Sequence, residues 1–371
     1  MILYKIIVLQ LLVAVAYSSD HQTYPGTSTR PILSDSEAAL YTKETYLQGW
    51  TPETISTSKQ DYLVGSGGYS TIQEAVNAAV TAGGTTRKYI KISAGTYREA
   101  VLIPKTDVPL TLYGTPGSPG DVHIVLTQPA TMTGTAYANQ VNPNGAKYKS
   151  GDPAYSMYYK CASKDTIGTT CSSVFQASND NLELAYLTVE NPSTEAQAVA
   201  FLGSGDKQQF DHVWFYGFQD TLYVKNGRKY FKKPTIKGDV DFIFGDASAV
   251  FEWAQIIARG DRRSSAVVFA PNTPKTQKYG FLTINSKITA DNAVKSKKGC
   301  SLARDWLSND DVNGQVVIRE TEVVDVINVT APYATSTGGT KPFAGNANTN
   351  RDLDDTNYNR FWEYKNTGTG A

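Results

Sequence analysis

Apolar residues recur along most of the chain in short runs that are separated by turn residues. Lys88–Ile92, Leu110–Tyr113, His212–Phe215 and Phe281–Ile284 are such runs, rich in β-branched and aromatic side chains. This composition is typical of β-strands. In many of the runs both faces are apolar, as in parallel strands that are covered on both sides. The pattern predicts a series of short, buried parallel strands.

One stretch near the start of the strand-rich part has helical spacing instead. Ile72, Ala75, Val76 and Ala79 fall on one face of a helix. The turn Gly65–Gly68 precedes them, but no Lys-Ser/Thr pair follows that turn, which disfavours a phosphate-binding loop. We predict an N-terminal helix that caps the strand-rich part of the chain.

Polar residues with a regular spacing interrupt the apolar runs in the middle of the chain. Gln197 and Gln219 are 22 residues apart, and Asp220 and Asp241 are 21 residues apart. A repeat of this length is typical of one coil of a β-solenoid, and stacked coils lie about 4.8 Å apart. We therefore predict an all-β, single-stranded parallel β-helix whose coils bring two carboxylates and two amides into one small site.

The segment around Asp241 allows two local structures. If Gly238–Gly245 is extended, its side chains alternate, so that Asp239 shares the face of Asp241 while Val240 and Phe242 take the other face. Asp239 leaves that face only if the strand begins later, at about Val240. For either candidate aspartate, stabilisation of a turn is the plainer alternative.

The first residues have the pattern of a secretory signal. Lys5 is followed by an apolar run over residues 6–16, and Ala14-Val15-Ala16 fits a small-x-small cleavage site. The run is too short to span a bilayer well. We expect residues 1–16 to be a signal peptide and the protein to be secreted to the extracellular space; a buried N-terminal strand or helix is the alternative.

The rest of the chain divides by composition. Residues 17–60 have scattered Ser, Thr and Pro and one short helical pattern around Ser36–Tyr41, which predicts a loose N-terminal arm. Residues 61–371 contain no evident linker and are predicted to form one β-helix catalytic domain. Within it, residues 128–160 are rich in Thr, Ala, Asn, Gly and Tyr and break the strand rhythm, so we interpret them as a long insertion loop.

The charge balance and the cysteine content limit which binding partners and which cellular compartment are plausible. Lys plus Arg equals Asp plus Glu at 35 each, so no positive field is available to bind nucleic acid or a membrane surface. Cys161 and Cys171 are a candidate local disulfide in an exported protein, and Cys300 is left over, either buried or paired differently. Asn328-Val329-Thr330 is a candidate N-glycosylation sequence.

Several catalytic classes are disfavoured by the residues present. The chain has three histidines and no Gly-x-Ser-x-Gly elbow, which argues against a serine hydrolase. Its histidines and cysteines lack zinc-ligand spacing, and Asp352–Asp355 is interpreted as a solvated turn rather than a calcium site. Carboxylate chemistry without a metal or an organic cofactor is the remaining prediction. The histidines are His21, His123 and His212.

The polar motifs together resemble a known family. Gln197, Gly217–Tyr223, Gly238–Gly245 and Leu302–Trp306 resemble the pectin methylesterases, carbohydrate esterases of family eight. The resemblance covers roughly residues 60–370, and the long insertion is similar to the larger bacterial-type members. It implies a right-handed parallel β-helix, in agreement with the spacing. Further matching motifs, in chain order, are Tyr69–Val76, Gly95–Glu99, Leu187–Asn191 and Phe361–Asn366.

The resemblance also implies catalytic roles. Asp241 would be the nucleophile, and Asp220 the general acid that later acts as a base. Gln197 and Gln219 would hold the oxyanion, and Arg304 would hydrogen-bond Asp241. These residue types suit the chemistry, because a carboxylate can attack an ester without a histidine. A neighbouring Arg favours the charged nucleophile, and the charge of that nucleophile raises the pKa of the acid.

Substrate contacts are implied in the same way. Trp306 would form part of a sugar platform, and Tyr223, Phe244 and Val240 would be further substrate contacts, beside the two catalytic residues Gln197 and Arg304. Aromatic faces stack well on sugar rings. The expected partner is methylesterified homogalacturonan, bound by a monomer.

One motif departs from the family pattern. The usual Leu-Gly-Arg-Pro-Trp is here Leu302-Ala303-Arg304-Asp305-Trp306. We expect that Asp305, an extra carboxylate beside Arg304, could compete with Asp241 for the guanidinium.

The resulting hypothesis is a pectin methylesterase that converts galacturonate methyl esters to carboxylates and methanol, in pectin or cell-wall degradation or modification. Three alternatives remain open. The first is chain cleavage by hydrolysis, which can also use two carboxylates, or by β-elimination. The second is a small-ester or thioester hydrolase with a changed groove. The third is a β-helical pectin-binding protein without activity.

Overall fold

A computed structural model describes residues 25–324 and 326–371. The expected signal peptide, residues 1–16, and the first part of the expected arm, residues 17–24, lie outside the described residues, as does His21. No helix among the described residues is long and apolar enough to cross a membrane.

Strands dominate the described residues, and the helices are short. The helices are α1 (Asp35–Ala38), α2 (Lys43–Leu47), α3 (Ile72–Thr81), α4 (Gly134–Val141), α5 (Tyr155–Ala162), α6 (Gly168–Cys171) and α7 (Asn292–Lys295), with 3-10 turns at Pro143–Gly145 and Thr337–Gly339. The strands are β1 (Tyr62–Val64), β2 (Lys88–Ile92), β3 (Gly95–Tyr97), β4 (Val101–Ile103), β5 (Leu110–Tyr113), β6 (Val122–Val125), β7 (Phe175–Ala177), β8 (Glu183–Ala185), β9 (Thr188–Glu190), β10 (Phe201–Gly203), β11 (Gln208–Asp211), β12 (Trp214–Tyr216), β13 (Leu222–Val224), β14 (Arg228–Lys232), β15 (Thr235–Gly238), β16 (Ile243–Gly245), β17 (Ser248–Glu252), β18 (Gln255–Ala258), β19 (Ala266–Pro271), β20 (Phe281–Ile284), β21 (Lys287–Ala290), β22 (Cys300–Ala303), β23 (Gln315–Arg319), β24 (Glu322–Val323) and β25 (Arg360–Tyr364).

These strands form three parallel sheets that together make a parallel β-helix, which confirms the predicted fold class. Sheet 1 has the order β1-β2-β5-β8-β11-β14-β17-β20-β23-β25. Sheet 2 runs β3-β6-β9-β12-β15-β18-β21-β24, and sheet 3 runs β4-β7-β10-β13-β16-β19-β22. Successive coils add one strand to each sheet. In sheet 3, Phe201 pairs with Leu222 and Leu222 pairs with Ile243, which is the predicted 21-residue repeat.

The interior is filled by side chains that stack from coil to coil. Phe210, Phe231 and Phe251 occupy paired positions on β11, β14 and β17. Their rings stack with centroid distances of 4.3 Å and 4.8 Å, close to the coil spacing. All three side chains are fully buried. Stacked aromatic residues contribute packing beyond the burial of their area, so the apolar runs fix the register of the coils.

The predicted cap helix is present as α3. Thr71 caps its N-terminus in a capping box with Glu74. The buried Glu99 carboxylate accepts hydrogen bonds from the N–H groups of Ile72 and Gln73 at 2.9 Å and 3.1 Å. A carboxylate at this end of a helix satisfies free backbone donors and interacts favourably with the helix dipole. The helix covers the first coil of the core.

The prediction of a loose N-terminal arm is wrong for residues 31–47. Tyr41 and Tyr46 are fully buried, and the Tyr46 hydroxyl lies 2.9 Å from the Gln315 side-chain oxygen. Helix α2 carries Tyr46, and the turn between α1 and α2 carries Tyr41, onto the outer face of sheet 1, which a solvated arm would leave exposed. The apolar cluster includes Leu33, Leu47, Val250, Leu282, Val317 and Trp362.

The prediction of an insertion loop at residues 128–160 is also wrong. Helices α4 and α5 pack against each other there, around the buried rings of Tyr137, Tyr148 and Tyr158. The Tyr148 hydroxyl donates to the Ala100 carbonyl at 2.7 Å, which ties the insertion to the β-helix. Tyrosine supplies both the apolar surface and the polar anchor, so this segment forms a small helical layer.

Candidate active site

The polar residues with the regular spacing occupy equivalent turns on three successive coils. Gln197 lies shortly before β10, Asp220 before β13 and Asp241 before β16. Backbone hydrogen bonds stack these turns: Ala198 N–H donates to the Gln219 carbonyl at 3.0 Å, and Asp220 N–H donates to the Val240 carbonyl at 3.0 Å. The coil repeat thereby brings the predicted residues to one side of the β-helix.

Both aspartates have left-handed backbone conformations, with φ of 64° at Asp220 and 51° at Asp241. Aspartate tolerates this region better than most residues. The extended alternation considered for Gly238–Gly245 is therefore wrong, since β15 ends at Gly238 and the chain turns before β16. Asp239 pairs with a different arginine, since both its oxygens accept hydrogen bonds from Arg262 at 2.7 Å and 2.8 Å.

Asp241 is held by Arg304, which follows β22. The Arg304 Nε donates to Oδ1 of Asp241 at 2.7 Å, and the terminal nitrogen donates to Oδ2 at 2.5 Å. Such two-point contacts fix the plane of a carboxylate and favour its charged form. The hydrogen bond to Asp241 raises the pKa of Arg304. Asp241 is 6% exposed, so one edge of a mostly buried anion remains open to the cavity.

Asp220 lies in a different electrostatic environment. Burial raises its pKa well above the ordinary carboxyl value, and the charge of Asp241 raises it further. The cation of Arg304 acts in the opposite direction, more weakly. Asp220 is therefore suited to retain its proton until a leaving group needs it, as a general acid requires.

An aromatic wall adjoins the aspartates. Tyr223 and Phe244 are paired on β13 and β16 and stack at 4.3 Å. Trp306 packs against both rings edge-on, at 6.1 Å and 5.7 Å. These side chains point outward from sheet 3, because the neighbouring positions, such as Leu222 and Ile243, fill the core. Val240, the remaining candidate contact, is only half-buried and is not part of the cavity lining.

A cavity of about 540 Å³ joins the aspartates and the aromatic wall. The half-buried Gln197 and Gln219 line it, and within the described residues their side-chain amides form no hydrogen bond to the protein. Both amides are therefore available as donors. The predicted residues that line the cavity are Gln197, Gln219, Asp220, Tyr223, Asp241, Phe244, Arg304 and Trp306.

The sequence interpretation missed a second wall. Lys164 and Ile167–Thr170 line the same cavity from the end of the helical insertion, and Ala270 and Thr337 complete it. These residues have no motif of their own. The one signal near them is the candidate cysteine pair, which forms a disulfide in the structure, with 5.6 Å between the Cα atoms of Cys161 and Cys171.

Asp305 does not compete for Arg304. Its Oδ1 accepts from Gly314 N–H at 2.7 Å, and its Oδ2 accepts from the Asn359 amide. Burial raises the pKa of Asp305 to about 6. Because alternate positions of an extended segment face opposite sides, Arg304 and Trp306 line the cavity while Asp305 anchors the C-terminal segment.

The other candidate residues lie outside the cavity. His123 and His212 contact Glu190 and Asp211 at 2.8 Å and 2.6 Å. Asn328 is exposed, and Cys300 is a buried free thiol. Over residues 25–324 and 326–371, no group of three or more His, Cys, Asp or Glu side chains is arranged to hold a metal ion.

Comparisons with known proteins agree with this site. The family model described as Pectinesterase matches residues 150–371. A pectinesterase of Sitophilus oryzae is 48% identical over 387 residues, covering 99% of this chain and 100% of the relative. The solved structure of a rice weevil pectin methyl esterase superimposes with a TM-score of 0.90 at 48% identity, covering 94% of this chain and 100% of the other.

Bacterial relatives are also similar over most of their length. Pectinesterase B of Dickeya dadantii is 37% identical and covers 92% of this chain and 90% of the relative. YbhC of Escherichia coli, whose name proposes acyl-CoA thioester hydrolysis, is 37% identical and covers 94% of this chain and 90% of the relative. The fold and these matches define a carboxylic ester hydrolase on a parallel β-helix. The chain belongs to the pectinesterase family.

Proposed function

We propose that the protein hydrolyses galacturonate methyl esters of pectin to free carboxylates and methanol, through an acyl-enzyme on Asp241. The observation that carries the proposal is the pairing of two unlike carboxyl groups in one cavity. Asp241 is ion-paired with Arg304, and the buried Asp220 has a raised pKa. One group is suited to attack and the other to donate a proton.

In the first half of the reaction, an oxygen of Asp241 attacks the ester carbonyl carbon and forms a tetrahedral oxyanion. The amides of Gln197 and Gln219 donate to that oxygen as its charge develops. A single donor of this kind typically contributes about 10²–10³ in rate. The C–O bond to the methoxy group then breaks, and Asp220 gives its proton to the departing oxygen, so methanol leaves and a mixed anhydride remains.

In the second half, Asp220 is ionised and takes a proton from a water molecule. That water attacks the acyl carbon of the anhydride, and the bond to the Asp241 oxygen breaks. The galacturonate carboxyl group is released, Asp241 returns to its carboxylate form beside Arg304, and Asp220 again carries its proton. Each turnover consumes one water and one ester.

The cavity suits a sugar polymer. Tyr223, Phe244 and Trp306 form an aromatic surface beside the aspartates, and aromatic faces pack against the apolar faces of sugar rings. The relatives named for pectin support the same substrate. Gln197 and Arg304 also contribute to binding of the ester: Gln197 donates to the oxyanion, and Arg304 holds the nucleophile Asp241 beside the ester.

The relationship to YbhC favours thioester hydrolysis as the second candidate. The same attack by Asp241 would release a thiol in place of methanol, since the acyl carbon undergoes the same chemistry. Parallel assays of an acyl-CoA and of methylesterified pectin therefore separate the two functions by product.

The first experiment measures methanol release from highly methylesterified pectin by the wild type and by Asp241→Asn. Asparagine keeps the shape of the side chain but is a far weaker nucleophile, so we expect a loss of at least about 10³-fold in kcat. Asp206→Asn is the matched control if circular dichroism shows it folded, because Asp206 also pairs with an arginine but lies outside the cavity. Comparable methanol release by Asp241→Asn would contradict the proposed nucleophile.

We also propose that the protein is exported, acts extracellularly as a monomer and modifies or degrades plant cell-wall pectin. Support comes from the signal-like run in residues 6–16 and from the Cys161–Cys171 disulfide, because disulfides persist in oxidising compartments. The exposed Asn328 is open to glycosylation in such a compartment. Secretion by the native host, followed by mass analysis of the mature N-terminus, tests the localisation.

A further inference from the structure

The second wall of the cavity is a short loop closed by a disulfide. We define the disulfide loop as residues 161–171, bounded by Cys161 and Cys171. Both cysteines are buried against the tyrosines of the helical insertion. Between them, Lys164 and Ile167–Thr170 line the cavity that contains the two aspartates. The loop therefore faces the aromatic wall across the space where the substrate would lie.

Backbone hydrogen bonds connect this loop, through Ala130, to the turn that carries Gln197. Ile167 N–H donates to the Met132 carbonyl at 2.9 Å, and Gly168 N–H donates to the Ala130 carbonyl at 2.9 Å. Ala130 N–H in turn donates to the carbonyl of Gln197 at 2.8 Å. The position of the loop is thus fixed relative to Gln197 by consecutive hydrogen bonds, as a specificity-determining element requires.

Lys164 brings an uncompensated charge to the cavity. Its Nζ donates to the Ile167 carbonyl at 3.2 Å, and an ammonium group has further N–H donors to offer. Within the described residues, Lys164 forms no ion pair with a carboxylate. Arg304, the other cation of the lining, is neutralised by Asp241.

We propose that Lys164 binds a free carboxylate on a galacturonate unit of the same polymer, next to the ester that reacts. The inference rests on the proposed function, because it assumes a substrate that carries esters and carboxylates together. Each turnover of such a polymer creates one new carboxylate, so the enzyme would act best beside units that are already de-esterified. The disulfide loop would then determine which ester of the chain is hydrolysed.

The first arm of the test measures binding without turnover. Unesterified hexagalacturonate is titrated calorimetrically into the wild type, Lys164→Gln, Lys164→Arg and Lys160→Gln. Lys160 is the matched control, because it is an exposed lysine on α5 that does not line the cavity. We expect Lys164→Gln to weaken binding about five-fold, the range of a partly solvated charge contact, while Lys164→Arg and Lys160→Gln stay near the wild type.

The second arm measures methanol release from highly and partly esterified pectin. For Lys164→Gln we expect KM to rise about five-fold on partly esterified pectin, with kcat retained and with little change on highly esterified pectin. Added salt should reduce the wild-type preference, since a partly exposed charge pair is screened.

The two arms separate the inference from the function on which it rests. Equal binding by the wild type and Lys164→Gln, an equal loss on both pectins, or an equal loss in Lys160→Gln would overturn the role of Lys164, as would failure of the wild type to bind hexagalacturonate. If the wild type released no methanol while hexagalacturonate binding still depended on Lys164, the esterase proposal would fail and the carboxylate site would stand.

Discussion

Two aspartates with the same intrinsic chemistry differ in this site through their neighbours. Asp241 is fixed by two hydrogen bonds from Arg304, whereas Asp220 is buried beside that anion and has a raised pKa. Burial and a like charge both oppose ionisation of Asp220. The neighbours of each aspartate therefore decide which one acts as nucleophile and which as acid, and those neighbours depend on the turn that the aspartate occupies.

Asp220→Asn tests this division through its pH dependence. The folded-state pKa of Asp220 is raised, so its protonated form favours folding at low pH and that contribution is lost as the pH rises through the raised pKa. Asparagine carries no such penalty. The melting temperature of the variant minus that of the wild type should increase from about pH 4 to about pH 7, as calorimetry can measure.

The same pKa governs catalysis by the wild type. Because the acid must donate a proton to methanol, kcat/KM should fall as the pH rises above the raised pKa of Asp220. The Asn variant should show little methanol release at any pH. Asp107→Asn, at an exposed position, is the control. A melting difference that does not change with pH would contradict a buried, protonated Asp220.

Among the secondary-structure elements, the two walls of the cavity are held in place in different ways. The turns before β10, β13 and β16 are positioned by the sheet ladder, whereas the opposite wall belongs to a helical insertion with its own tyrosine cluster. The disulfide loop connects the two. Its covalent closure restricts the unfolded chain and holds the loop against the cavity.

Replacing Cys161 and Cys171 together by serine should weaken this wall. Without the disulfide the unfolded chain gains conformational entropy, which lowers the free energy of unfolding by about 3 kcal/mol for a loop of this length. The melting temperature should therefore fall, and proteases should cut within residues 161–171 more readily. We expect kcat/KM on pectin to decrease several-fold, because the hydrogen bonds to Met132 and Ala130 are no longer held in place. Limited proteolysis with mass spectrometry and methanol assays measure both effects.

The wild type under mild reduction provides an independent comparison with the double-serine variant. Cys300 is present in both proteins, and its thiol is fully buried. Identical protease patterns in the oxidised wild type and the variant would show that the disulfide does not hold the loop.

At the scale of the whole molecule, the N-terminal segment closes the outer face of sheet 1. Tyr46 lies among rings of Tyr41 and Tyr279, at 6.4 Å and 4.9 Å between centroids, and its hydroxyl contacts Gln315. Gln315 Oε1 also accepts from Gly280 N–H at 2.6 Å. Tyr46, Gly280 and Gln315, which are far apart in sequence, are thus joined by buried hydrogen bonds beneath the N-terminal segment.

Tyr46→Ala should destabilise the protein by about 3–5 kcal/mol, the usual cost of removing a buried aromatic side chain, with an added contribution from the polar partner left unsatisfied. Urea unfolding gives the free energy of unfolding. Leu40→Ala, at a residue that is 48% exposed, should change it by less than about 0.5 kcal/mol. Equal stability of the two variants would mean that the segment contributes little to the fold.

It was possible to predict from the sequence the repeat, the strand-rich fold and the polar residues that the repeat brings together. Short runs that alternate apolar and polar residues, or that are apolar on both faces, predict strands. A spacing of 21 or 22 residues identifies one coil, because each coil must contain three strands and their turns. The spacing alone therefore places Gln197, Asp220 and Asp241 on one side of the β-helix. These properties are local and repeat at regular intervals, so they can be recognised in a single sequence.

The partners of the polar side chains and the second wall of the cavity are evident only in the folded protein. The left-handed turn at Asp241 sends Asp239 to Arg262 and Asp241 to Arg304, which strand alternation does not predict. Lys164 reaches the cavity from a helical insertion without a sequence motif. Such contacts join residues distant in sequence and depend on how side chains fill a shared space, so their physical cause exists only once the coils and the insertion have packed together.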